Sequence, residues 1–257
     1  MTVVVAVLGP ALTLLCRAFH IASRWYSVYL AITWRMVQNT RQAEGLFITF
    51  EGAECSGKST QTRLLAEWLR EAGHEVLETR DPGGTRVGEE LRHIVKHVCG
   101  EDAVCDESEL LIFGASRAQL TRKIIMPCLS RGGVVLCDRF ADSTTAYQGY
   151  GRGFDLALIA QINQLATCGR MPDLTILLDI DPETMQQRGQ MRMETLFVQD
   201  RIEEESRRFH ETVREGYLKI AETAGDRVKV IDGGGDQRII QNQIREQVSH
   251  ALERIQK

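Results

Sequence analysis

Short apolar segments alternate with longer amphipathic segments along the chain from residue 45 onward. Five apolar runs predict buried strands at 46–51, 75–79, 133–138, 174–180 and 228–232. Apolar residues at helical spacing predict helices near 58–72, 86–98, 106–130, 154–167, 182–190, 200–224 and 236–255. Strands separated by helices are typical of a parallel sheet covered on both faces. We therefore predict one α/β domain over residues 45–257, with a five-stranded parallel sheet and helices on both faces.

The first 44 residues differ from the rest in charge. They carry arginines but no acidic residue before Glu44, and the apolar stretch from Val3 to Cys16 is shorter than the ~20 residues that span a bilayer. This composition resembles an organellar transit peptide, and the aromatic residues beside the arginines would also suit an interfacial anchor. We favour a third interpretation, an upstream start codon ahead of a protein that begins at Met36. Residues 1–44 are accordingly treated as an extension outside the predicted fold.

Charge balance and cysteine content narrow the functional classes. The 31 basic and 35 acidic residues are interspersed, so no basic surface for nucleic acid is predicted. Seven cysteines, an odd number without a C-x-x-C pair, favour the reduced cytoplasm over a disulfide framework. We expect a cytoplasmic protein with no nucleic-acid or membrane partner, in which local arginines and backbone dipoles hold any anionic ligand.

The most specific chemical signal follows the first predicted strand. Residues 52–59 read GAECSGKS and match G-x-x-x-x-G-K-[ST], a loop that binds phosphate between a strand and a helix. Gly52 and Gly57 let the backbone curl so that N–H groups point at an anion, and the following helix adds the positive end of its dipole. We expect Lys58 to reach the β- and γ-phosphates of a nucleotide and Ser59 to ligate Mg²⁺. The predicted nucleotide-binding residues are Gly52, Ala53, Glu54, Cys55, Ser56, Gly57, Lys58, Ser59 and Thr60.

Charged residues follow the second and third predicted strands, where ligands bind in parallel sheets. Arg80 begins the loop RDPGGT and can face an anion. Asp138 ends the run VVLCD, at the place where proteins with this phosphate loop hold Mg²⁺ or its water. Arg139 offers a fork suited to phosphate. The alternatives are a surface arginine in a turn for Arg80, and a simple ion pair at a strand end for Asp138 and Arg139.

Two further groups of residues combine an aromatic ring with hydrogen-bonding side chains, and the first of them would suit a nucleobase. Phe113 and Arg117 are spaced i, i+4 on a predicted helix and share one face, where a ring can stack and a guanidinium can donate. A core phenylalanine beside a surface arginine is the alternative. Residues 141–149 place hydroxyls, an aromatic ring and an amide within about one turn.

Two weaker patterns are set aside. His93, His97, Cys99 and Cys105 do not have the spacing of a zinc finger, and an amphipathic helix end explains them. The segment 81–84 matches the D-x-x-G of GTPase switches, but the chain has no N-K-x-D to read guanine.

Five motifs, in order, resemble those of bacterial thymidylate kinases over about residues 45–250. They are FEG with GKSTQ (50–61), TRDPGGT (79–85), LIFGASR (111–117), DRF to AYQG (138–149), and DRIE (200–203) with Ser206 and Phe209. The resemblance implies a P-loop NTPase fold, a homodimer, and transfer of the γ-phosphoryl of ATP to dTMP with Mg²⁺, in dTTP biosynthesis.

The resemblance also implies roles for individual residues. Phe113 would stack on thymine while Arg117 donates to its O4. Glu54 would accept from the sugar 3′-OH, and Tyr147 would crowd the 2′ position. The implied dTMP residues are Glu54, Arg80, Phe113, Arg117, Arg139, Ser143, Thr144, Tyr147 and Gln148. The implied catalytic residues are Lys58, Asp138, Arg139, Arg188 and Arg192, and the implied Mg²⁺ residues are Ser59 and Asp138, directly or through water.

The source of the catalytic arginine is left open by the sequence. Positions 53–56 carry no arginine, so the chain resembles family members that supply it from a lid, here at about 186–200. Arg188 and Arg192 are the candidates, and the segment 193–199 is longer and more apolar than the usual short basic lid. A related kinase with another acceptor, or a nucleotide-dependent binding switch, remains as an alternative function.

Overall fold

A computed structural model describes residues 45–98, 100–196, 202 and 205–255, with the side chains of 192–196 excepted. The strands are β1 (Phe47–Glu51), β2 (Val76–Arg80), β3 (Val134–Asp138), β4 (Leu174–Asp179) and β5 (Val228–Asp232). They form one parallel sheet in the order β2-β3-β1-β4-β5. The predicted α/β fold is confirmed, and each predicted strand lies within one residue of its observed bounds.

The helices connect successive strands and cover the sheet. In chain order they are α1 (Lys58–Glu71), α2 (Arg86–His97), α3 (Asp106–Leu120), α4 (Met126–Leu129), α5 (Ala141–Thr144), α6 (Leu156–Ala166), α7 (Pro182–Leu196), α8 (Arg207–Thr223) and α9 (Gln237–Ile255). Two π-helical segments, Thr121–Ile125 and Thr145–Gly151, join α3 to α4 and extend α5. Within the described part of the chain, no helix is both long and apolar enough to cross a bilayer.

Successive residues of the central strands are buried on opposite faces of the sheet. Phe50 and Leu136 pack with residues of α1 and α9 on one face. Phe47 packs with Phe140 and the end of α3 on the other, the two ring centroids lying 4.9 Å apart. Burial on both faces favours the apolar composition of the strands. The parallel pairing of β1 and β2 with β3 places the carboxyl ends of the three strands side by side.

Three helical predictions need correction. The single helix predicted at 106–130 contains a π-helical turn before Pro127, because proline lacks the N–H needed for a regular helical hydrogen bond. The turn predicted at 141–149 is helical through residue 151, and it was missed because burial on several sides removes the amphipathic pattern. The helix predicted at 182–190 extends to Leu196.

Some predictions fall on positions that are not described. The extension 1–44, Cys99 of the zinc alternative, the Arg192 side chain, the predicted lid positions 197–200, and residues 201 and 203 of the DRIE motif lie outside the described residues. The helix predicted from residue 200 begins, as far as described, at Arg207, where Ser206 caps it by accepting from the Phe209 backbone N–H at 3.2 Å.

Candidate active site

The loops after β1, β2 and β3 border a cavity of about 560 Å³. It is lined by residues of the glycine-rich loop and of six other segments: Glu54, Cys55, Ser56, Gly57, Lys58, Ser59, Thr60, Arg80, Asp81, Pro82, Arg92, Val95, Lys96, Phe113, Arg117, Asp138, Arg139, Ser143, Thr144, Tyr147, Gln148, Arg188 and Ile202. Every predicted site residue with a described side chain lines this cavity except Gly52 and Ala53, which are buried at the start of the loop.

The glycine-rich loop has the backbone geometry that its sequence predicts. Gly52 and Gly57 have φ of 132° and 93°, and a Cβ on Gly52 would lie 2.3 Å from the Leu178 carbonyl oxygen. Lys58 folds back over the loop and donates to the Ala53 carbonyl at 2.7 Å. Burial, and next the neighbouring Arg139, lower the pKa of the Lys58 ammonium. The loop therefore holds a cation above its own backbone.

Ser59 and Asp138 meet at the edge of the loop. The Ser59 hydroxyl donates to Asp138 Oδ2 at 2.8 Å. Hydroxyl and carboxylate oxygens are the ligands that Mg²⁺ prefers. The donor set at this point thus fits a magnesium ion.

Arg139 connects the loop to the helical segment that follows β3. Its Nη2 donates to Glu54 at 2.6 Å and to the Tyr147 hydroxyl at 3.1 Å, while its Nη1 donates to the Gly52 carbonyl at 2.9 Å. Burial opposes ionisation of Glu54, but Arg139 and Lys58 outweigh it and hold the pKa of that carboxyl well below its usual range. Arg139 thus forms a largely buried ion pair with Glu54 at the end of β3, and this pair is compatible both with a phosphate-binding role and with the alternative of an ion pair at a strand end.

Glu51 lies behind Arg139 and was not predicted as a site residue. Its carboxylate accepts from the Phe140 backbone N–H at 2.8 Å, from the Ser143 hydroxyl at 2.6 Å and from the Tyr217 hydroxyl at 2.9 Å. The Ser143 and Tyr217 hydroxyls also accept from Arg139 Nη1, at 3.3 and 3.0 Å. Tyr217 was missed because Phe209, Val213 and Tyr217 have the spacing of an ordinary buried helix face.

The pKa of Glu51 leads to a prediction about stability. Burial, and next Asp142, raise this pKa from 4.5 to about 7, against the opposing effects of Arg139, Ser143 and Tyr217. The folded state then binds the proton more tightly than the unfolded state, so this contribution to stability is present below about pH 4.5 and is lost as pH rises through 7.

The difference in unfolding free energy between the two proteins, taken as wild type minus Glu51→Gln, measures this contribution. We expect this difference to fall by about 3 kcal/mol between pH 4.5 and pH 8. Urea unfolding of both proteins over this range measures the difference. The glutamine variant serves as the control because its side chain cannot ionise. A difference that stays constant or grows with pH would contradict the assignment.

Phe113 and Arg117 lie on the cavity side of α3. Phe113 is half-buried, whereas Arg117 is buried, so the alternative of a surface arginine is wrong. Arg117 Nε donates to Asp81 at 2.6 Å and Nη1 to Asn163 at 2.8 Å. These contacts fix the guanidinium at the cavity wall.

The helical segment after β3 contributes the opposite wall. The Tyr147 ring lies against Arg139, whose guanidinium carbon is 5.1 Å from the ring centroid. Gln148 Nε2 donates to Glu109 at 2.8 Å. Ser143 and Thr144 also line the cavity. The Ser143 hydroxyl donates to Glu51 and accepts from Arg139, so it lies close to the guanidinium.

Two arginines line the cavity from the region after β2. Arg80 donates to Glu89 at 2.8 Å and is about half exposed. Arg92, which was not predicted, donates to the Pro82 carbonyl at 2.9 Å. Its signal was available in the sequence, since Gly88, Arg92 and Val95 have i, i+4, i+7 spacing on one helix face.

Arg188 reaches the glycine-rich loop from α7. Its Nη1 donates to the Gly233 carbonyl at 3.0 Å and to the Cys55 carbonyl at 3.3 Å.

The pattern of histidines and cysteines that was set aside as a zinc site includes His93 and His97, whose ring centroids lie 5.0 Å apart. The described residues contain no cluster of three or more His, Cys, Asp or Glu able to hold a metal.

Comparisons with known proteins identify the family of this chain. A family model for thymidylate kinase matches residues 50–244. The thymidylate kinase of Geotalea daltonii is 47% identical over 193 residues, covering 74% of this chain and 90% of that protein. The thymidylate kinase of Citrifermentans bemidjiense is 46% identical over 196 residues, covering 76% of this chain and 87% of that protein.

A solved structure supports the same assignment. The crystal structure of thymidylate kinase from Ehrlichia chaffeensis matches with a TM-score of 0.63 and 36% identity, covering 79% of this chain and 97% of that one. The chain belongs to the thymidylate kinase family, and it is a P-loop nucleoside monophosphate kinase.

Proposed function

We propose that this chain transfers the γ-phosphoryl group of ATP to dTMP, giving dTDP and ADP for dTTP synthesis. The observation that carries the proposal is the position of Arg139, which contacts Gly52 in the phosphate loop and Tyr147 in the helical segment after β3. A guanidinium where these two segments meet can contact both a donor and an acceptor phosphate. ATP then binds along residues 52–60, and dTMP binds beside Phe113.

The nine residues proposed to bind dTMP keep the roles that the family resemblance implies. Phe113 stacks on thymine and Arg117 donates to its O4. Arg80 and Arg139 hold the monophosphate, and Arg92 is added to them because it lines the same cavity. Glu54 accepts from the 3′-OH while Tyr147 crowds the 2′ position. Ser143, Thr144 and Gln148 complete the wall beside the sugar and base.

The chemistry needs positive charge and alignment. The attacking oxygen belongs to a phosphate monoester whose second pKa is about 6, so it is largely dianionic at neutral pH and needs no general base. The obstacle is the repulsion between two anions. Lys58, Arg139 and Arg188 bring three cations to one cavity. Because Arg188 contacts the phosphate loop, we propose it as the catalytic lid arginine, with Arg192 as the second candidate.

We propose that Ser59 and Asp138 hold Mg²⁺, directly or through water. The proposal is supported by their oxygen atoms meeting at 2.8 Å beside Lys58. When bound, the ion would neutralise charge on the β- and γ-phosphates. Asp138 and Ser59 orient each other by the same hydrogen bond.

We also propose a homodimer. Leu111 on α3 and Leu165 on α6 are 61% and 79% exposed, and Leu158 on α6 is 44% exposed. Exposed apolar side chains on two helices support contact with a second copy. A cytoplasmic location is proposed on separate grounds, the odd number of cysteines and the lack of a C-x-x-C pair.

Removing the ring of Phe113 tests the placement of the base. We expect Phe113→Ala to raise the KM for dTMP by about 10- to 100-fold, because base stacking on an aromatic ring contributes roughly 1–3 kcal/mol. The KM for ATP should change little. Glu107→Ala, at an exposed position of the same helix, is the control. If Phe113→Ala unfolds the protein while the folded remainder binds dTMP normally, the ring is a core residue and not a base platform.

A further inference from the structure

Glu109 is a buried carboxylate on α3 that faces the dTMP side of the cavity through Gln148. Its side chain is 1% exposed. Glu109 Oε1 accepts from Gln148 Nε2 at 2.8 Å and from Arg152 Nε at 3.3 Å, while Oε2 accepts from Arg152 Nη2 at 3.2 Å. Because a guanidinium can only donate, Arg152 uses both oxygens of Glu109 as acceptors.

This arrangement leaves one orientation for the Gln148 amide. An amide has a donor end and an acceptor end, and only its NH₂ group can satisfy an accepting carboxylate. With the NH₂ group turned to Glu109, the carbonyl oxygen is the end left for the cavity that Gln148 lines. The orientation of a glutamine amide is set here by chemistry that a flipped amide cannot reproduce.

We propose that Glu109 is a positioning residue that turns the Gln148 carbonyl towards the base, so that the site selects pyrimidines with an N3–H. Thymine and uracil carry a hydrogen-bond donor at N3 and an acceptor at O4. Cytosine carries an acceptor at N3 and a donor at N4. A site with an acceptor at Gln148 and a donor at Arg117 matches the first pair and opposes the second. The inference rests on the proposed placement of the base between Phe113 and Gln148.

Arg152 is itself held from several directions. It forms ion pairs with Asp106 at 3.3 Å and with Glu205 at 2.5 Å, and its guanidinium carbon lies 4.7 Å from the centroid of the Phe209 ring. These contacts join α3, the segment after α5 and α8 around Glu109. Arg152 is therefore held in place, and it in turn holds the Glu109 carboxylate that accepts from the amide of Gln148.

Replacing Glu109 by glutamine tests the proposal. A glutamine at 109 can donate or accept, so it no longer dictates which end of Gln148 faces the base. We expect the ratio of kcat/KM for dTMP to that for dCMP to fall about tenfold or more. The ratio of dTMP to dUMP should stay unchanged, since both bases present the same edge. Inhibition constants replace kcat/KM where dCMP is not turned over.

Asp106→Asn is the matched control, because it removes an exposed carboxylate from the same Arg152 without touching Gln148. Both ratios are measured on one protein preparation, so partial unfolding does not affect them. A change in the dTMP-to-dCMP ratio below about twofold, or an equal change in Asp106→Asn, would overturn the proposal.

The exchanged pair, Glu109→Gln with Gln148→Glu, serves where the single variant does not fold. It restores one carboxylate and one amide, and places an obligate acceptor at 148. We expect it to keep the preference for dTMP over dCMP, and a preference for dCMP would overturn the proposal.

Gln148→Leu tests the proposed placement of the base separately from the role of Glu109. If Gln148→Leu leaves the KM for dTMP unchanged, the proposed base placement fails; if it raises the KM while Glu109→Gln keeps its selectivity, only the role of Glu109 fails.

Discussion

Lys58→Ala is expected to lower kcat by about 10³-fold, because it removes a preorganised cation from a site that must bring two phosphates together. Lys58 donates to Ala53 and Gly52 at 2.7 and 3.3 Å, so the ammonium is already held over the loop before a nucleotide arrives. Burial of this charge is costly, and its removal should not reduce the stability of the fold.

Steady-state kinetics and thermal unfolding, measured together, test this expectation. Lys58→Met is the matched variant, since it keeps most of the side-chain volume without the charge. Both variants should unfold at or above the wild-type temperature and lose kcat to a similar extent. A kcat within tenfold of the wild type in a folded Lys58→Met protein would contradict the role of the ammonium.

Arg139→Lys should have the second-largest effect, although it keeps a positive charge. The guanidinium makes separate hydrogen bonds to Gly52, Glu54 and Tyr147 through two nitrogens, and one ammonium cannot reproduce this fork. We expect kcat/KM for dTMP to fall about 10²-fold, with part of the loss in kcat because the arginine spans donor and acceptor.

The control for Arg139→Lys is the same substitution at an exposed arginine. Arg131 pairs with Glu75 at 2.9 Å with both side chains more than half exposed, so Arg131→Lys should leave kcat/KM within about twofold. If Arg139→Lys behaves like Arg131→Lys in the dTMP kinetics, Arg139 is a structural ion pair and not part of phosphoryl transfer.

The strands and the phosphate loop could be predicted because their signals are local. Gly52 and Gly57 adopt positive φ that glycine favours, and apolar runs mark strands that are buried on both faces. The cavity wall at 141–151 could not be predicted as helical, since Ala146, Tyr147, Gln148 and Gly149 are all buried and no periodic pattern remains.

The contacts behind the site could not be predicted because they join distant segments. Glu51 and Tyr217 are 166 positions apart, and Glu109 and Gln148 are 39 positions apart. In the sequence, Glu51 is one acidic residue after a strand, and Tyr217 is one aromatic residue on a buried helix face. Only the fold shows that the first pair meets beside Arg139 and that the second pair meets at the cavity wall.

We infer that a loop of backbone amides, with Lys58, Arg139 and Arg188, neutralises two facing phosphates so that one transfers its terminal group to the other. Nucleotide separation after incubation of the purified chain with Mg-ATP and each of dTMP, dUMP, dCMP, dGMP and dAMP tests it most directly. The account predicts equal amounts of dTDP and ADP, with dTMP the preferred acceptor. Preference for a purine monophosphate, or ADP formation that does not depend on dTMP, would contradict it.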